Sequence, residues 1–221
     1  MKVMHPTDPS SAVRSLLDED ARTWLDGAAA AVAADAAAIR RLFPAVRSHC
    51  GRSRLDAHWS VDEAARAVLL TALPLRGAAL AGEVGPLYRF GDPAEQRAVL
   101  RTLPLLDLDA LALPLVREAL RGNDTTLIEA ALGPYADRHL PDPEFRQAVL
   151  KCVFCEIPLD RVHGLTGRAD RELARMLADF AHERLAAGRP VPTDVRPVLH
   201  AFPDVLTPRL QLVFEALEEE A

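Results

Sequence analysis

Lys151, Arg168, Arg175, Asp179, His182 and Arg184 fall in one short stretch of the chain, and their types are those that clamp anions, orient imidazoles and move protons. After Asp170, Leu173, Met176, Leu177 and Phe180 recur at helical spacing and form one apolar stripe, and Arg184 lies in the middle of it. A guanidinium taken out of water needs a carboxylate, helix carbonyls or an anionic ligand. Arg184 therefore either faces an interior partner or, four residues before Gly188, snorkels outward and complements the helix C-terminus. On the opposite face Arg175, Asp179 and His182 recur at i, i+4 and i+7, flanked by Glu172 and Glu183. Such a stripe can orient an imidazole for acid–base work, supply two ligands to a metal, or simply be a solvated face of ion pairs. A metal would need a third ligand from elsewhere, His139 or His163 being the available imidazoles, and none is expected.

A second helix, expected over Pro143 to Glu156, precedes this one and is apolar on most sides. Gln147 and Lys151, four residues apart, give it a narrow polar seam. The lysine either sits at the edge of the core or points into a cleft. Cys152 and Cys155 form a CxxC inside this apolar run, but with no second CxxC and no HxxxH they read as small core residues rather than as a zinc or redox pair. The loop between the two helices, PLDRVHGLTGRAD, gathers Asp160, Arg161, His163, Arg168 and Asp170 around Gly164 and Gly167, a composition suited to an anion although no phosphate-loop motif is present. GxSxG, HExxH and GxGxxG motifs are absent as well.

The elements that must position these residues are helices. Ala and Leu dominate, β-branched and aromatic residues are sparse, and Pro or Gly punctuates the chain every ten to twenty residues. Residues 1–10 read as a disordered lead and 11–221 as a single all-helical domain, opening with an Ala-rich helix over Ser11 to Leu42 that is interrupted near Gly27. RAVLLTALPL from Arg66 recurs as RAVLRTLPLL from Arg97, and DPAEQRAVL from Asp92 recurs as DPEFRQAVL from Asp142. In each copy of the second pair the Asp caps a helix whose first residue is Pro. These repeats predict an all-α fold of irregular helical repeats, a HEAT- or armadillo-like solenoid, with an irregular helical bundle as the alternative.

At 221 residues with 49 % hydrophobic and 26 % charged residues, composition describes an ordinary globular chain. A net charge of −6, with arginines interleaved among acids, argues against a nucleic-acid partner. No segment reads as a membrane span or a leader, and three cysteines form no disulfide framework, so a cytoplasmic location is expected.

Three blocks, LYRFGDPAEQRAVLRTLPLL from Leu87, VLKCVF from Val149 and GLTGRADRELARMLADFAHERLAAGR from Gly164, resemble the EboA family. Arg168, Glu172, Leu173, Arg175, Met176, Leu177, His182, Glu183, Arg184, Gly188 and Arg189 look like family-motif positions. The chain departs from the pattern at Asp170, where many members carry Asn, and at Leu185, where many carry Trp or Arg. The resemblance implies an all-α protein encoded in biosynthetic gene clusters of secondary metabolism beside a prenyltransferase, a sugar-phosphate-cyclase-like protein and TIM-barrel proteins. It transfers no catalytic residue.

Residues and resemblance together predict an accessory protein that binds a metabolite intermediate or a pathway enzyme in a groove bordered by Gln147, Lys151, Arg168, Arg175, Asp179, His182 and Arg184. The alternative is a metal-independent enzyme acting on a small cyclic or prenylated metabolite, with His182 or Lys151 as acid–base. No cofactor and no oligomeric state is implied.

Overall fold

The computed structural model describes residues 8–219, with side chains as far as Phe214. It is 73 % helical, and no strand occurs among the described residues. By contact the chain divides into two compact units, one ending at Tyr135 and one beginning at Ala136. The first seven residues of the expected lead lie outside the described residues, and Ser10 already opens the first helix, its N–H donating to the Asp8 carboxylate at 2.9 Å.

The first unit contains α1 (Ser10–Leu16), α2 (Glu19–Ala34), α3 (Ile39–Cys50), α4 (Val61–Thr71), α5 (Gly77–Arg89), α6 (Pro93–Thr102), α7 (Leu113–Arg121) and α8 (Thr125–Ala131). The Ala-rich stretch breaks at Asp18 and Asp35 rather than at Gly27, because each aspartate turns its side chain onto a following backbone N–H, Ala21 and Ala37 respectively. Gly27 continues α2, where its exposed position asks nothing of a side chain. The capping expectation holds at α6, where Asp92 and Glu95 form a reciprocal box and Pro93 is the first helical residue. The second copy differs: Asp142 lies inside its helix, with Pro141 at the cap position.

The core of this unit is α4. Every residue from Val61 to Leu70 is buried, since α1, α2, α3 and α6 all pack against it. A helix covered on all sides is ordinarily apolar all round, yet this one carries Asp62, Glu63 and Arg66. Arg66 is 1 % exposed and satisfied on three fronts, donating to Asp62 at 2.8 Å, to the Phe43 carbonyl at 3.3 Å and to Glu95 at 3.5 Å. Glu63 accepts from Arg97 and Arg101 of α6. Three carboxylates thus meet three guanidiniums, the balance that makes buried charge tolerable. Arg66 and Arg97, which open the two copies of the RAVL repeat, both belong to this network.

The division between the units falls within α9 (Pro134–His139). The second unit continues with α10 (Asp142–Phe154), α11 (Leu165–Arg168), α12 (Arg171–Ala186), α13 (Arg196–His200) and α14 (Pro208–Glu219). α12 is its centre, packing against α10, α13 and α14. Most of the expected stripe is buried, namely Leu173, Leu177 and Phe180, while Met176 and Arg184 are half-buried; the flanking Ala174, Ala178 and Ala181 are buried as well, which lets neighbouring helices approach closely.

Candidate functional site

The C-terminal ends of α10 and α12 enclose a cleft of about 400 Å³ within the second unit, and it begins with how each helix stops. In α12 the Arg189 N–H donates to the Arg184 carbonyl at 2.9 Å and the Gly188 N–H to the Leu185 carbonyl at 3.2 Å, with Gly188 left-handed at φ +65°. In α10 the Ile157 N–H donates to Cys152 at 2.9 Å and Glu156 to Val153 at 3.3 Å, with Glu156 at φ +57°. Both are Schellman turns, which satisfy the last carbonyls of a helix and reverse the chain. They bring Val153, Phe154 and Glu156, from α10 and its turn, together with Phe180, Glu183, Arg184, Ala187 and Arg189, from α12 and its turn, and Pro192 closes the lining.

Phe154 and Phe180 meet edge to face at 4.8 Å between ring centres, and Phe154 remains 61 % exposed. The Arg184 guanidinium stands 6.0 Å from the Phe180 ring centre. Its Nε donates to the Pro190 carbonyl at 3.0 Å, and neither Nη makes a hydrogen bond to another described residue. The arginine thus donates to the chain that follows its helix and lines the cleft. An apolar aromatic wall beside a guanidinium with donors to spare can bind a small organic anion.

Of the seven residues singled out from sequence, Arg184 alone lines this cleft. Arg168 is spent on the end of α9, donating to the carbonyls of Ala136, Asp137 and Leu140 and to the Asp142 carboxylate, and stacking 4.1 Å from the Phe145 ring centre. Arg175 lies on an exposed face between Glu172 and Asp179, at 2.7 and 2.6 Å, and the pairing holds the Glu172 carboxyl below its ordinary range. His182 Nε2 is 3.1 Å from the hydroxyl of Thr207, whose side chain also accepts from the Leu210 N–H at the start of α14. Gln147 is exposed and Lys151 half-buried on α10, away from the lining. Among the described residues, no three of His, Cys, Asp and Glu gather at metal-ligand range.

The loop between α10 and α12 is built from within. His163 Nδ1 lies 3.0 Å from the Asp137 carboxylate, and Gly164, left-handed at φ +75°, sits so close that an added Cβ would come within 2.1 Å of Asp137 Oδ1. Asp170 caps α12 through the Leu173 N–H and pairs with Arg146 of α10. The hydrogen bond from the Arg146 guanidinium holds the Asp170 carboxyl below its ordinary range, and the Asp170 carboxylate in turn raises Arg146. The three cysteines form no disulfide: Cys152 is buried and Cys155 half-buried, and Cys50, in the first unit, has its thiol pushed up to about 11 by burial.

Sequence reasoning missed Phe154, Glu156 and Arg189 as cleft residues and Arg146 as the partner of Asp170. It also missed the Arg66 network, for which a signal existed: an arginine at the same place in both copies of an otherwise apolar repeat, with Asp62 one turn before it.

These features define an all-α protein whose second unit carries an aromatic cleft with an arginine in its wall. The chain belongs to the EboA family: the family model for metabolite traffic protein EboA matches residues 45–200, a span that includes the whole cleft. No curated protein and no solved structure matches the chain. Among the described residues, no helix is long and apolar enough to cross a membrane.

Proposed function

We propose that the protein is an accessory component of a small-metabolite pathway and that the α10/α12 cleft binds its cargo, a small organic anion with an apolar body. The observation that carries this reading is Arg184, held by its Nε on the Pro190 carbonyl while its Nη atoms bond no other described residue, 6.0 Å from the Phe180 ring centre. The volume of about 400 Å³ falls in the range of small-molecule sites and is too small for a partner helix with its side chains. Membership of a family named for metabolite traffic agrees with cargo rather than chemistry. The packing of α4 on α6 and of α6 on α8, with α5 against α6 and α7 against α8, favours a helical-repeat scaffold for the first unit. No placement favours the acid–base alternative, since neither His182 nor Lys151 lines the cleft.

The experiment is extraction. Small molecules released from purified wild-type protein are compared by mass spectrometry with those from Arg184→Met. The expected result is a stoichiometric acidic compound that is lost, or depleted ~10-fold or more, in the variant, as removal of a charge-assisted bond implies. Equal recovery from both would remove the cleft as the binding site.

A further inference from the structure

Resting on the cleft as a binding site, we propose that Glu156 determines its specificity, and that the cargo carries a hydroxyl or amino hydrogen-bond donor in addition to its acid group. The two turns that shape the cleft are the same device built from different residues. Each needs one residue in the left-handed region, where glycine is unstrained and a side chain crowds the following carbonyl. α12 supplies Gly188 at φ +65°, whereas α10 supplies Glu156 at φ +57°.

Among the described residues Asp109 is the other non-glycine with positive φ, and it has a local account. Aspartate tolerates this region, and its carbonyl accepts the Tyr135 hydroxyl. Glu156 has no such account. Its carboxylate makes no hydrogen bond or ion pair with another described residue, and it lines the cleft. A left-handed position that carries an exposed glutamate where glycine would be unstrained, at the edge of a ligand-sized cleft, points to a carboxylate placed for what enters. Arg184 of α12 and Arg189 beyond its end favour an anion, Glu183 of α12 also joins the lining, and the Glu156 carboxylate from the turn after α10 selects against a bare acid and for one that also offers a donor. The binding step is non-covalent, with Glu156 accepting and Arg184 donating.

The test uses the full chain and fluorescence titration with two kinds of probe, naphthoate and the positional isomers of hydroxynaphthoate, which share an aromatic body and an acid group and differ by one donor. Wild-type protein should bind at least one hydroxylated isomer ~5-fold or more tightly than naphthoate. Glu156→Gly should abolish that preference while raising the melting midpoint by ~2–4 °C, because the strain is relieved. Glu156→Gln, which keeps the strain and an acceptor but loses the charge, should leave the midpoint unchanged and retain part of the preference. Arg184→Met should weaken every probe alike. If wild type shows no preference among the probes, if Glu156→Gly keeps it, or if that variant melts lower, the inference about Glu156 is overturned. If no probe binds, or Arg184→Met binds all of them as wild type does, the cleft reading itself falls and this inference with it.

Discussion

Arg66 sets the sharpest test at the residue scale. Its guanidinium is buried among Asp62, Glu95 and the Phe43 carbonyl, so removing it strands two carboxylates in the interior. Arg66→Met should cost ~3–5 kcal/mol in urea unfolding, because breaking a buried pair leaves uncompensated charge. Replacing Asp62 and Glu95 with apolar residues in the same variant should recover part of that loss. A single-variant cost below ~1 kcal/mol would mean that water reaches the cluster. Thiol chemistry gives a second test. Cys155 is half-buried, Cys152 is buried, and burial pushes the Cys50 thiol up to about 11. Labelling of the native protein with a thiol reagent near pH 8 should therefore modify Cys155 first and leave Cys50 unmodified until the chain unfolds. Rapid labelling of Cys50 would contradict the packing of α3 on α4.

At the scale of elements, the junction of α10 with α12 is held by Arg146 and Asp170, and its pH dependence has a definite sign. The Asp170 carboxyl lies below its unfolded value, first through the hydrogen bond from Arg146. The resulting stability is fully present above the unfolded value, near pH 4, and is lost as pH falls through the folded one. Arg146→Met should thus be less stable than wild type at neutral pH, by an amount reduced by solvent since both groups are partly exposed, and the gap should narrow below pH 4. A gap that stays constant or widens in acid would show that Arg146 acts through packing alone. Such elements were partly legible in the sequence. Asp92, Pro93 and Asp170 announce helix starts, and Gly188 announces a stop, because caps and turns are local chemistry encoded within a few residues. Arg146 as the partner of Asp170, and Thr207 as the partner of His182, were not legible. Those contacts join residues far apart in sequence, and periodicity says which face a residue is on but not what meets it. Gly27 and Glu156 misled in opposite ways: a glycine sits within a continuous helix, and a glutamate occupies a turn position that ordinarily takes glycine.

For the whole molecule, the all-α class was legible from Ala/Leu-rich capped segments, and the family from three blocks of sequence. The cleft was legible only through Arg184 and the Phe180 stripe, since periodicity does not say that the end of α10, the turn after it and the chain past Gly188 meet them. Its place in the second unit also means that binding should be felt locally. The most direct measurement is therefore an amide chemical-shift map of the 221-residue protein titrated with hydroxynaphthoate. Perturbations that saturate together and cluster at Val153 to Glu156 and at the amides between Phe180 and Val191 are the predicted result. Saturable shifts centred elsewhere, such as around the exposed Phe90, with the cleft resonances unmoved, would contradict it.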